Sequence, residues 1–343
     1  MKQIIFLILF SISLYSQEFK TDYFFYHNQI NKAETFLYKE NNVDSCFYYY
    51  DKTFKEFDFI FVKDLVNAAQ IAKLNKKEYK KYIIQGFENG LKLNHLESFL
   101  IFKKEVSSLQ KDKELLAKYN EGRKKYLARI DFEYLDKVYN IVIGESVNRY
   151  LRKENYIHKL EYEFSVLSGL IKKKGFPGDR LLGIADSTIF REIKSVKRDI
   201  STRENKTNIQ PKYRSYDKIN EVDFSQSIIR TFLRNLDFCL FNTLDKNTIL
   251  SEIKKGTIHP KDIAYYNDDA FINRKTNDLN LCGARQAYPL FNIDLQTEED
   301  FNIHKANDVR KQFYIVDYDT DLKKREFEKL NNLNLFSGNE RYR

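Results

Sequence analysis

A run of alternating carboxylates near residue 320 has the ligand types of a calcium loop. The acidic residues stand at positions 1, 3, 5 and 12 of this run, at Asp317, Asp319, Asp321 and Glu328. An EF-hand loop uses these positions because Ca²⁺ binds six to eight oxygens, but it also needs a glycine at position 6. Leu322 occupies that position. The run therefore favours an acidic helix start, with Asp319 or Thr320 as N-cap, over a calcium site.

The histidines and cysteines have no spacing typical of a metal or nucleophile site. The five histidines are dispersed along the chain, at His27, His95, His158, His259 and His304. No pair stands at i, i+4, and no Cys-x-x-Cys is present, so we expect neither zinc nor another cofactor. Cys46 is predicted to be a small buried residue. Cys282 has two open alternatives, a disulfide with Cys239 or a thiol–imidazole pair with His259 or His304.

Seven polar residues in the second half are the candidate ligand-binding set. They are Glu145, Arg149, Asp237, Asp268, Arg285, Gln286 and Arg310. Arginines opposite carboxylates can bind an anionic ligand in bidentate geometry. The same residues can instead form a structural network of ion pairs between helices, which is the interpretation we favour. No catalytic residue is assigned within the set.

The stretch from about 138 to 328 resembles an uncharacterised bacterial family found in many exported proteins. The family's Gly-Trp-Pro-like corner is matched by Gly175-Phe176-Pro177, and its Gly-x-x-Gln-x-Tyr loop is matched by Gly283 to Tyr288. The resemblance implies that Glu145 and Arg149 share one helix and that Arg310 lies at a helix start. It supplies no reaction.

Two positions depart from the pattern of that family. A helix that carries a histidine and an aspartate in the family has Asn235 and Asp237 here, and an Asp-Arg pair is replaced by Asp268-Asp269. If the family uses the histidine for acid–base chemistry, the resemblance implies that this chain has lost it.

Helical hairpins are predicted for the region from 18 to 104. Ile30, Ala33 and Leu37 recur at the spacing of one helix face, and Asn41-Asn42 separates this helix from a second one over Val43 to Phe57. Asp64 is predicted to cap a helix over 65–74 that pairs with one over 78–91. The 34- to 36-residue spacing of similar positions is typical of tetratricopeptide-like repeats, although a plain helical bundle fits nearly as well.

The remainder, from 105 to 343, is predicted to be an irregular helical domain. Asp131 and Asn155 are candidate N-caps, and the second of these helices ends in Lys172 to Lys174 before Gly175. A mobile loop is predicted at 195–222. Further helices are expected over 225–239, 245–255 and about 321–330, with Pro260 in the first turn of another.

The N-terminus has the pattern of a cleavable signal peptide. Lys2 precedes an apolar run from Ile4 to Leu14, and charge begins after Ser16, the predicted cleavage position. The run is shorter than the roughly 20 residues of a membrane-spanning helix, and no later stretch is long and apolar enough. The sequence therefore predicts a signal peptide at 1–16 and export to the periplasm or beyond.

Composition favours a mainly α protein. Lys, Glu, Leu and Ile are abundant, whereas only 11 glycines and 4 prolines occur in 343 residues. The formal net charge is +9, but the basic clusters are short and interleaved with acids, which argues against a nucleic-acid partner. The leading hypothesis is a non-enzymatic interaction module of the cell envelope. The alternative is a hydrolase or anion-binding domain that uses the seven-residue set.

Overall fold

The protein is mainly α-helical. The computed structural model describes residues 19–138, 141, 156–182, 189–192, 246–262, 264 and 302–336. Within those residues the helices are joined by short connections, and the pairing of extended backbone is limited to an isolated bridge between Lys20 and Phe57. The predicted signal peptide at 1–16, the loop at 195–222 and the helix over 225–239 lie outside the described residues.

The first two helices form the predicted antiparallel hairpin. Helix α1 spans Tyr23–Tyr38 and helix α2 spans Val43–Glu56. Between them Asn41 adopts a left-handed conformation with φ 51°, and the Asn42 side chain caps α2 by accepting a hydrogen bond from Ser45 N. Asparagine tolerates both roles, which explains why this pair separates two helices.

The second hairpin pairs helix α3, Val62–Leu74, with helix α4, Lys80–Glu88. Ala68, Ala69 and Ala72 are buried, as their small size predicts for closely packed helices. The prediction that Asp64 caps α3 is wrong. The helix begins at Val62, three residues earlier than predicted, no side chain caps it, and Asp64 is buried inside the first turn. The hairpins are thus observed, while the tetratricopeptide-like assignment stays a prediction.

Short helices and one long helix complete the region up to residue 138. After a 3₁₀ helix at Leu93–Ser98 come α5 (Leu100–Lys103), α6 (Val106–Leu109) and α7 (Lys113–Arg129). Helix α7 packs along α4. Residues 132–138 are again helical, and Asp131 caps this segment as predicted, because its Oδ1 accepts a hydrogen bond from Tyr134 N.

The later helices are distributed over the rest of the chain. They are α8 (Tyr156–Lys174), α9 (Asp179–Leu182), α10 (Ile189–Glu192), α11 (Lys246–Lys254), α12 (Ile303–Gln312) and α13 (Tyr318–Asn331). Helix α8 ends as predicted, with Gly175 at φ 93° just past the last turn. No helix within the described residues is long and apolar enough to cross a membrane.

The acidic run near residue 320 is the start of helix α13. Asp317 is the N-cap, where the sequence predicted Asp319 or Thr320, and its carboxylate accepts hydrogen bonds from both the backbone N and the hydroxyl of Thr320. Glu328, the twelfth residue of the run, accepts a hydrogen bond from Leu335 N instead of facing Asp317. Helical backbone through the run excludes the EF-hand loop geometry.

The core of the helical hairpins includes a segment from near the end of the chain. Leu333, Leu335 and Phe336 pack into the same hydrophobic cluster as α1 to α4. We call residues 333–336 the C-terminal strap. The cluster also includes residues on α5 to α7, so it continues across the predicted domain boundary at 104/105.

Two amide side chains on α3 hold the strap through paired hydrogen bonds. Asn67 accepts from Phe336 N at 2.8 Å and donates to Phe336 O at 3.2 Å. Gln70 accepts from Asn334 N at 3.1 Å and donates to Asn334 O at 2.7 Å. Each amide thereby satisfies one donor and one acceptor of a backbone that is otherwise removed from water.

Candidate functional site

Arg310 is the one predicted site residue that falls within the described part of the chain. The other six, Glu145, Arg149, Asp237, Asp268, Arg285 and Gln286, lie outside it, as do Cys239 and Cys282. Arg310 lies in the last turn of α12 and not at a helix start, contrary to what the family resemblance implied. The convergence of the seven residues stays a prediction.

The Arg310 side chain is fully buried in an ion pair. Its Nη2 lies 3.1 Å from Asp321 Oδ2, and its Nε donates to Val316 O at 2.7 Å. Arg325 also contacts the same carboxylate oxygen at 3.2 Å. Burial alone would raise the pKa of Asp321, but the two guanidinium groups outweigh it and hold the pKa at about 2. Arg310 thus joins α12 to α13.

A second buried group of charges centres on Glu34 of helix α1. Lys261 Nζ lies 2.9 and 2.8 Å from the two carboxylate oxygens, and Lys324 Nζ lies 2.5 Å from Oε1. Lys324 also donates to Phe336 O at 2.8 Å, in the strap. Burial raises the pKa of Glu34, but the two ammonium groups overcome this and leave it lowered. Burial lowers the pKa of Lys324 to about 8, against the opposing effect of Glu34.

Two histidines and an aspartate form the third part of this interior. Asp64 Oδ2 accepts a hydrogen bond from Tyr26 OH at 2.8 Å and lies 3.6 Å from His259 Nε2. His259 Nδ1 accepts a hydrogen bond from Lys261 N, so Nε2 is the ring nitrogen that faces Asp64. His27 packs against His259 with ring centroids 5.2 Å apart. Burial lowers the pKa of His27 well below its usual range, and the nearby His259 lowers it further.

The buried carboxylates and cations of these three groups, together with the buried Lys63–Asp262 pair, make up what we call the buried charge centre. It consists of four carboxylates and four cations that are all buried: Glu34, Asp64, Asp262, Asp321, Lys63, Lys261, Lys324 and Arg310. The formal charges therefore balance without an added ion. Among the described residues no three His, Cys, Asp or Glu side chains are placed to hold a metal. The arrangement supports a structural role, the interpretation we favoured for the predicted set.

Sequence reasoning missed the buried charge centre apart from Arg310. One signal was available on α3, where Lys63, Asn67 and Gln70 follow the spacing of one helix face and most of the remaining residues are apolar. A helix without a solvated face must bury its polar residues against partners. The identity of those partners, up to 269 positions away, carries no sequence signal.

The surface of the first hairpin has a different character. Phe36 and Tyr49 stack with centroids 5.3 Å apart, and Tyr48 beside them is 60 % exposed. Lys32 lies over the Tyr49 ring at 5.6 Å and Lys52 over the Tyr48 ring at 5.9 Å. No carboxylate within the described residues pairs with either lysine. We call these five residues the aromatic–lysine patch.

Comparisons with known proteins do not assign the chain. No family model, no curated protein and no solved structure matches it. The resemblance to an exported bacterial family therefore stays a prediction, and any function must be argued from the residues themselves.

Proposed function

We propose that this chain is an exported, non-enzymatic protein-binding module of the cell envelope. The N-terminal pattern of Lys2, an apolar run and Ser16 supports export. The aromatic–lysine patch is the observation that carries the binding role. Tyrosines with exposed rings are enriched at protein interfaces, because they supply contact area at a small cost in conformational entropy.

The chemistry of the patch favours an acidic partner segment. Lys32 and Lys52 contact aromatic rings, and their charges are not neutralised by described carboxylates. An acidic segment that binds over the rings would pair with both ammonium groups while it buries Tyr48. Charge complementarity of this kind steers association and selects the partner.

The interior supports a binding role over catalysis. The rival hypothesis, a hydrolase or anion-binding domain, needs Arg310 to reach a ligand. Arg310 is fully buried and is engaged by Asp321 and Val316 O. The eight residues of the buried charge centre likewise neutralise one another, so their charges stabilise the packing of the helices.

Site-specific crosslinking in cells tests the binding surface. A photo-crosslinking amino acid replaces Tyr48 in one variant and Tyr162 in a control, since Tyr162 on α8 is 72 % exposed. We expect a discrete crosslinked protein from position 48, and its yield should fall when Lys32→Glu and Lys52→Glu are added. Identical products from both positions, or none from position 48, would contradict the proposed surface.

Two further measurements test export and the absence of catalysis. The N-terminus of the protein isolated from the producing cell should be Gln17, if cleavage follows Ser16. Detection of the intact N-terminus in the cytoplasm would rule out the export proposal. Turnover of an envelope substrate by the purified chain, abolished by Arg285→Ala in a folded variant, would instead support the rival hypothesis.

A further inference from the structure

Arg129, the last residue of α7, is an exposed residue whose guanidinium stacks on two aromatic rings and is thereby partly removed from water. Its Cζ lies 5.1 Å from the centroid of Phe59 and 5.9 Å from that of Tyr126. Both rings are buried, so they form a fixed platform. No carboxylate of the described residues forms an ion pair with Arg129, and stacking leaves the N–H edge of a guanidinium available for hydrogen bonds.

Arg123, six residues earlier on the same helix, shows what completes such a stack in this protein. Its Cζ lies 4.7 Å from the same Tyr126 ring. The Glu192 carboxylate accepts from Arg123 Nε at 2.7 Å and from Nη2 at 2.9 Å, which is the bidentate geometry of a guanidinium–carboxylate pair. Arg129 therefore has the ring of its neighbour but lacks the carboxylate.

A second arginine lies beside Arg129. Arg180 stacks on Tyr23 at 4.9 Å, Tyr23 OH donates to Phe59 O at 3.0 Å, and the ring of Phe59 carries Arg129. Arg180 is engaged by Asp58, with Nη2 2.8 Å from Oδ2, and it donates from Nη1 to Lys255 O. The two guanidinium groups and one carboxylate leave one positive charge without compensation at this surface.

The surroundings of the Arg129 guanidinium disfavour its positive charge, which strengthens its attraction for an anion. Burial lowers the pKa of Arg129, and the charge of Arg180 lowers it further, although Asp58 opposes the change. A cation that is partly removed from water gains more from an opposite charge than a fully solvated one does.

We propose that Arg129, with Arg180 beside it, binds a carboxylate group of a ligand. One carboxylate neutralises the single excess charge, and its two oxygens match the N–H edge of a guanidinium whose face is already covered by Phe59 and Tyr126. The site is independent of the aromatic–lysine patch, so it stands or falls separately from the proposed function.

Chemical modification of the wild-type chain tests the site without a variant. The rate of phenylglyoxal modification is measured at each arginine by peptide mass mapping, in sodium acetate and in sodium chloride of equal ionic strength. We expect Arg129 to react, and its rate to fall about threefold once the acetate concentration is twice the Kd. Arg123 is the matched control, since Glu192 already covers its N–H edge, and its slow rate should not depend on acetate.

Three results would overturn the proposal. They are equal rates at Arg129 in acetate and chloride, a rate as slow as that of Arg123, and stronger protection by sulfate than by acetate. The first would mean that Arg129 serves only as a cation at the C-terminus of α7.

A variant gives an independent readout. Arg129→Lys keeps the charge but not the planar fork, so it should lose the rise in Tm that acetate produces over chloride in the wild type. An unchanged acetate effect in folded Arg129→Lys would also contradict the proposal.

Discussion

Lys324 Nζ lies 2.5 Å from Glu34 Oε1, although the two residues are 290 positions apart and both side chains are completely buried. The contact joins the first helix of the described chain to the last. Lys261 shares the same carboxylate, so Glu34 is the common anion of two cations from distant segments. Removing that anion leaves both cations uncompensated.

Glu34→Gln should therefore destabilise the fold strongly. The substitution keeps the shape of the side chain but leaves Lys261 and Lys324 buried without their carboxylate, a change that costs about 3–5 kcal/mol in comparable buried pairs. The free energy of unfolding, measured by urea denaturation, checks this. The control is Glu88→Gln, which breaks the exposed pair with Lys125 and should have no measurable effect. Equal effects of the two variants would show that the Glu34 pairs are not structural.

Acid should weaken the protein through Asp321. Its pKa is held at about 2, below the ordinary 3.8, so the unfolded state binds the proton first as the pH falls. The stabilisation is complete above pH 4 and is lost toward pH 2, and the difference between the two pKa values corresponds to about 2 kcal/mol. Urea denaturation from pH 5 to pH 2 measures this slope. Asp321→Asn should flatten it, and an unchanged slope would assign the acid sensitivity to other carboxylates.

His27 should make the stability depend on pH in a higher range. Burial keeps the folded-state pKa well below 6.5, so protons bind preferentially to the unfolded state as the pH falls below that value. Stability should decrease there by up to about 1.4 kcal/mol per pH unit for this one group. His27→Phe retains a ring against Phe61 and should remove that part of the slope. A variant as sensitive as the wild type between pH 6.5 and 5 would contradict this origin.

Two glycines should respond oppositely to the same substitution. Gly169 lies within α8, and a Cβ added there meets no atom within 4 Å, so Gly169→Ala should stabilise the protein by about 0.5–1 kcal/mol. A Cβ on Gly178 would lie 1.6 Å from Thr257 O, which is backbone and must be displaced. Thermal unfolding should show a higher Tm for Gly169→Ala and a much lower one for Gly178→Ala. The same direction of change in both would contradict the packing at Thr257.

The attachment of the strap to α3 should depend on the hydrogen bonds of Asn67. Asn67→Ala removes both hydrogen bonds to Phe336, and because Lys324 Nζ still donates to Phe336 O, the cost of about 1–3 kcal/mol comes mainly from the buried N–H. Hydrogen exchange at the Phe336 amide should accelerate more than exchange within α2. The control is Gln110→Ala, which removes an exposed contact with Glu97 and should leave both rates unchanged. Equal acceleration everywhere would indicate global unfolding instead.

The sequence predicted the elements that local chemistry determines. Asn42, Asp131 and Gly175 mark helix ends because capping and left-handed backbone depend on neighbouring residues. Asp64 illustrates the limit of that reasoning. An aspartate before an apolar helix is a typical N-cap, yet here Tyr26 and His259 bind it inside the protein.

The buried charge centre could not be predicted because a charged residue has no local mark of burial. Glu34 and Lys324 look like members of solvated helix faces in a chain that is 31 % charged. Only the packing of α1, α13 and the segment around Lys261 removes them from water. Arg310 was predicted to take part either in ligand binding or in a structural ion pair, and it forms an ion pair with Asp321.

The strap has a consequence for the order of assembly. A chain made from its N-terminus exposes the apolar faces of α1 to α4 long before Leu335 and Phe336 exist to cover them. The backbone that hydrogen-bonds to Asn67 and Gln70 lies more than 260 residues further along the chain. The entropic cost of closing a loop of this length must therefore be met before these hydrogen bonds can stabilise the fold. We therefore expect the core of the nascent hairpins to remain incomplete until the strap, which follows α13, has been made.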